Sequence, residues 1–119
     1  MTVHMYGIPN CDTIKKARKW LVEHDIDYVF HNYKKEGVDA ACLQAWCAQV
    51  GWEILLNKRG TTWRKLPDAD KNELNTAKAQ ALLVEHASMI KRPVLVYSEG
   101  AEKHVEVGFS AASYETLFQ

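Results

Sequence analysis

Tyr6-Gly7-Ile8-Pro9-Asn10-Cys11-Asp12-Thr13-Ile14-Lys15-Lys16-Ala17-Arg18 joins an extended apolar run to a helical pattern. Val3, Met5 and Ile8 belong to the run, and Gly7 and Pro9 bring turn chemistry to its end. Past the turn, Ile14, Ala17, Trp20 and Leu21 recur on one helical face, while Lys15, Lys16, Arg18 and Lys19 fall largely on the other. Asn10 is the expected N-cap, which places Cys11 at the first helical position. Unpaired backbone N–H groups and the positive end of the helix dipole meet there, and a thiolate gains from both. The pattern therefore predicts a nucleophilic cysteine of depressed pKa. Taken alone, the same layout also fits a small buried apolar residue, because free cysteines are among the most buried side chains.

Outward from this stretch, Tyr28-Val29-Phe30-His31-Asn32-Tyr33 is β-branched and aromatic and reads as a second strand. Strand, helix and strand make a βαβ unit. Lys34 to Gly37 reads as a polar loop. A helix is expected over Asp39–Val50, with Asp39 as cap, Leu43, Trp46, Cys47 and Val50 on one face, and Gly51 at its C-terminal end. Trp52 to Leu56 reads as a helical turn and Asn57 to Lys65 as a basic, glycine-containing loop. Asp68 or Asp70 is expected to cap a helix to about Asn75, and a further helix covers Thr76 to His86. Val94-Leu95-Val96-Tyr97 and His104-Val105-Glu106-Val107, parted by Glu99-Gly100, predict a β-hairpin. Ser110 then caps a last helix to about Phe118. The order is that of an α/β, thioredoxin-like fold (β-α-β, then β-hairpin-α) forming one domain over 1–119, with an all-helical insert at about 38–88.

The chain has 119 residues, 47% of them hydrophobic and 25% charged, the balance of an ordinary soluble domain. Zero formal net charge argues against nucleic-acid and anionic-membrane partners. No apolar run approaches the roughly 20 residues of a membrane span. A cationic leader followed by an apolar core is missing, so no secretory signal is expected. Three cysteines, an odd number, make no disulfide framework, and a cytoplasmic, reducing location is expected. The five histidines show no metal-ligand spacing, and no glycine pattern suits a nucleotide.

Gly7-Ile8-Pro9-Asn10-Cys11-Asp12-Thr13, the segment from Leu55 to Leu66, Ile90-Lys91-Arg92-Pro93 and Val107-Gly108-Phe109-Ser110 together resemble the arsenate reductase (ArsC)/Spx family, and within it the YffB-like branch. The resemblance spans nearly the whole chain. It implies a thioredoxin-like fold, a nucleophilic cysteine matched by Cys11, and glutathione-linked reduction. Arg92 matches an arginine that holds an oxyanion, and Pro93 matches a proline that is typically cis in such folds. In the glutathione-dependent arsenate reductases the cysteine attacks arsenate and glutathione then attacks the adduct.

Two of the three oxyanion cations of those reductases have no match here: Asn57 and the Val107-Gly108 pair stand in their places. Spx regulators carry Cys-x-x-Cys, where this chain has Ile14. The resemblance implies Cys11 and Arg92 as the catalytic pair. Asn10, Lys15, Lys58, Arg59, Arg64 and Pro93 are the residues expected to bind substrate or glutathione. The expected activity is that of a glutathione-dependent thiol reductase acting on a small thiol, disulfide or oxyanion. It would have glutathione as co-substrate, no bound cofactor or metal, and a monomeric chain. The alternative is an Spx-like, non-catalytic regulator that contacts transcription machinery.

Overall fold

A computed structural model describes residues 2–118. In chain order the elements are β1 (Thr2–Gly7), α1 (Asp12–Glu23), β2 (Val29–Asn32), α2 (Tyr33–Glu36), α3 (Ala40–Val50), α4 (Trp52–Leu55), α5 (Thr61–Lys65), α6 (Asp68–Lys71) and α7 (Thr76–Glu85). A 3₁₀ turn (Ala87–Met89), β3 (Val94–Glu99), β4 (Glu102–Val107) and α8 (Ala111–Leu117) complete them. They fall into two compact units. One holds the chain up to Glu36 together with the residues from Arg92 on, and the other is the helical segment Gly37–Lys91.

The first unit is a mixed four-stranded sheet of order β2-β1-β3-β4. β1 runs parallel to β2, with Gly7 opposite Asn32 at the C-terminal ends, and antiparallel to β3. The β3–β4 hairpin turns through Gly100, whose φ of 62° is the left-handed conformation that glycine adopts without strain. Side chains alternate across β1. Val3 and Met5 face the core shared with Ile14, Ala17, Trp20 and Leu21 of α1, Leu95 of β3 and Tyr114 of α8. The reading of α1 by its apolar face thus stands, because that face is the buried one. Ser110 and Ser113 form a reciprocal capping box at the start of α8.

The strand expected over Tyr28 to Tyr33 is shorter. Its ladder ends at Asn32, where the Asn32 side-chain Oδ1 accepts the Lys35 backbone N–H at 3.3 Å and turns the chain into α2. The supposed loop after Asn32 therefore begins as a helical turn, with Tyr33 fully buried.

In the helical unit α3 packs against α4 and α7, burying Leu43, Trp46 and Cys47 with Ala79, Leu82 and Leu83. Asp39 caps α3 by accepting the Cys42 N–H at 2.8 Å. Two expectations need correction here. The basic segment 57–65 is loop only as far as Gly60, whose carbonyl accepts the Arg64 N–H and opens α5. The helix expected to reach Asn75 stops at Lys71. Asn72 is extended, Glu73 has a positive φ of 54°, and the Asn75 side chain accepts from Lys78 to start α7 instead. Among the described residues no helix is long and apolar enough to cross a membrane.

Candidate active site

Cys11, Tyr33 and Arg92 meet in the strand–helix unit. Cys11 does not occupy the first helical position. It is itself the N-cap, with φ −98° and ψ 129°, and Asn10 lies one residue further out, exposed. The cause is the extended backbone at Cys11, which lets its carbonyl accept the first helical bond, from Lys15 N–H at 3.0 Å. No side-chain hydrogen bond of capping geometry joins the sulfur to the helix. The N–H groups of Ile14 and Thr13 nonetheless act on it, since a helix start attracts negative charge beyond strict hydrogen-bond range.

Two opposing effects set the thiol. Burial pushes its pKa up; the Ile14 and Thr13 amides, and then the Arg92 guanidinium, pull it down and prevail, leaving it below the ordinary thiol value. Cys47 shows the opposite balance, raised by burial and by Glu53 against the help of Gln80. Of these two thiols, Cys11 is the one held toward the thiolate form, while Cys47 is a core residue, 8% exposed. Cys42 is half-buried at the start of α3.

The Arg92 guanidinium acts electrostatically on both Tyr33 and Cys11. The Arg92–Pro93 peptide bond is cis, and the Pro93 carbonyl accepts the Gly108 N–H at 2.9 Å, tying the segment to the end of β4. Burial raises the Tyr33 phenol to about 12 against the pull of Arg92, so it stays protonated and adds no charge of its own. A neutral phenol beside the guanidinium holds Arg92 in place without cancelling its charge on the sulfur. Sequence reasoning missed Tyr33 by absorbing it into a strand. The signal was Asn32, a turn-forming residue directly before it.

The remaining expected residues are more dispersed. Lys15 is exposed on the first turn of α1, and its charge is not among those acting on the sulfur. Lys58, Arg59 and Arg64 lie in the helical unit: the Lys58 ammonium sits 5.5 Å from the Trp63 ring centroid, and Arg64 donates to the Arg59 carbonyl at 3.4 Å. On the sheet face opposite the α1 core, His4 Nδ1 and His31 Nε2 share a hydrogen bond of 2.9 Å, with Tyr6 stacked on His31. A cleft of about 480 Å³ lies by Trp20 and His24. That is the far end of α1, roughly 15 Å from its start.

Sheet order, helix-start cysteine and cis proline define a thioredoxin-like protein with a thiol at a helix start. Residues 6–117 match the model of the ArsC family, and the chain belongs to that family. The solved structure of a YffB protein is 49% identical and superposes with a TM-score of 0.87 over 97% of each chain. An arsenate reductase (ArsC) related protein from Brucella melitensis is 50% identical over 100% of this chain and 96% of its own, at a TM-score of 0.73. The global transcriptional regulator Spx of Streptococcus pyogenes is 27% identical over 110 residues, 91% of this chain and 78% of that protein. The chain is thus related both to arsenate reductases and to Spx regulators.

Proposed function

We propose that this protein is a cytoplasmic, glutathione-dependent thiol reductase with Cys11 as nucleophile and Arg92 as its cationic partner. The observation that carries the reading is the half-buried Cys11 sulfur, served at once by two helix-start amides and a guanidinium. In the first step the Cys11 thiolate attacks the glutathionyl sulfur of a mixed disulfide. A Cys11–glutathione disulfide forms and the substrate leaves as a thiolate, which takes a proton from water. In the second step the thiolate of a second glutathione attacks the glutathionyl sulfur, releasing glutathione disulfide and the Cys11 thiolate. The mixed disulfide is reduced to the substrate thiol, and one glutathione is oxidised, leaving joined to the glutathionyl half that came from the substrate. Asn57 and the Val107-Gly108 pair favour a disulfide over arsenate, because a multiply charged oxyanion calls for more cations than Arg92 alone.

The test is glutathione-coupled reduction of a cysteine–glutathione mixed disulfide by the wild type and by Cys11→Ser. Turnover in the wild type and its loss in the variant support the reading. Equal rates, at the level of glutathione alone, overturn it. The likeness to Spx favours one second reading, a non-catalytic partner of RNA polymerase. Capture of polymerase subunits equally by the wild type and by Cys11→Ser, without turnover, would decide for that alternative.

A further inference from the structure

β1 and β2 are parallel and end side by side at Gly7 and Asn32. The chain leaves one end toward Cys11 and the other into α2. A cleft of about 330 Å³ opens between these exits, lined by Ile8, Pro9, Asn10, Asn32, Lys34 and Lys35. Such a crevice beyond the carboxyl ends of parallel strands is where ligands of open α/β sheets bind. Its walls carry two ammonium groups, and no carboxylate lines it. Among the described residues neither lysine takes part in an ion pair, and the neighbouring Glu36 faces His31 at 3.8 Å. The Asn32 side-chain carbonyl is occupied by the Lys35 N–H, so its amide offers donors to the cleft. The lining therefore combines amide donors and positive charge with Ile8 and Pro9, and the donors and charge suit a carboxylate ligand.

We infer that this cleft binds a carboxylate of the glutathione moiety, with Lys34 and Lys35 as the charge-recognising residues. The inference rests on the reductase reading above. Glutathione carries its sulfur on the central residue of a tripeptide and a carboxylate at either end, one or two residues away, roughly 4–7 Å in extended chain. Asn10, in the cleft wall, is the residue immediately before Cys11. A glutathionyl sulfur placed on Cys11 thus brings a carboxylate within reach of the cleft. The proposed binding surface moves from the basic 57–65 segment to the start of α2, which the sequence alone reads as polar loop.

The experiment measures the rate at which Cys11 is converted to a mixed disulfide by two probes, glutathione disulfide and the uncharged 2-hydroxyethyl disulfide. In each case the Cys11 thiolate attacks one sulfur, a Cys11–S–S bond forms and the other half leaves as thiolate. In Lys34→Gln/Lys35→Gln the glutathione disulfide rate should fall about five- to tenfold at low salt. The 2-hydroxyethyl disulfide rate should stay within about twofold, which also shows that the variant is folded. In 0.5 M salt the gap between variant and wild type should close. Equal loss with both probes, or loss with neither, overturns the subsite while the reductase reading stands. A wild-type Cys11 that reacts with both probes no faster than an unfolded thiol overturns the reductase reading and the subsite together.

Discussion

Replacing Arg92 by Gln removes the one side-chain charge that pulls the Cys11 thiol down, while the Ile14 and Thr13 amides stay in place. The size of the loss follows from where the pair sits. A unit charge pair about 4 Å apart is worth about 1 kcal/mol in water and about 4 kcal/mol at an effective dielectric of 20. Cys11 and Arg92 are both half-buried, so solvent screens much of the attraction. The value belongs near the aqueous end, at about 1 kcal/mol. That corresponds to roughly a fivefold smaller thiolate population below the thiol pKa. The assay is the rate of alkylation by iodoacetamide across pH for wild type, Arg92→Gln and Arg92→Lys, each beside the same protein unfolded. The Gln variant should alkylate about fivefold more slowly near pH 7, yet still faster than the unfolded chain. The Lys variant, keeping charge but losing the fork that acts on Tyr33 and the sulfur together, should fall between. Coincident profiles for Arg92→Gln and wild type would refute the role of Arg92. A Gln variant no faster than unfolded chain would refute the role of the helix start.

The lowered Cys11 pKa also makes stability depend on pH. A group that ionises more easily folded than unfolded contributes stability present above the unfolded thiol pKa, about 8.5, and lost as pH falls through the folded value. Denaturant unfolding of wild type against Cys11→Ser should therefore show the wild type gaining relative stability as pH rises toward 9, and a constant difference across that range would contradict the lowered pKa. Tyr114→Phe should stabilise the strand–helix unit by about 1 kcal/mol, seen as a higher urea midpoint, because the Tyr114 hydroxyl is buried with no hydrogen-bond partner among the described residues. A lower midpoint would mean that the hydroxyl has a partner after all.

Much of this was legible from residue pattern. The apolar stripe of α1 and the alternation of β1 name their own buried faces. Asp39, Gly51 and Ser110 mark helix ends through side chains or a left-handed backbone that act locally. What pattern misplaced was decided by tertiary structure. Tyr33 has the aromatic character of a strand residue, but β2 lasts only as long as β1 can pair with it, and β1 ends at Gly7. Cys11 was one residue off because Asn10 is the better intrinsic cap, whereas the turn through Pro9 delivers the helix a residue later. Arg92 entered by resemblance alone: nothing in its local sequence tells a guanidinium beside a thiol from one in solvent. Lys34 and Lys35 were passed over for the same reason, as an exposed lysine pair looks alike whether or not a cleft opens beside it.

Ile14 carries two duties that pull its position in one direction. Its backbone N–H serves the Cys11 sulfur, while its side chain is fully buried and lies close under Gly7. A second thiol three residues after Cys11 would have to replace that isoleucine and would leave a void beneath the first strand. Cys11 is the sole cysteine of the strand–helix unit, so whatever its sulfur captures cannot be expelled from within that unit. On the proposed chemistry, release waits for a visiting thiol. The cycle would then slow in proportion as the surrounding pool of reduced thiol is drained, which ties output to supply without any dedicated sensor.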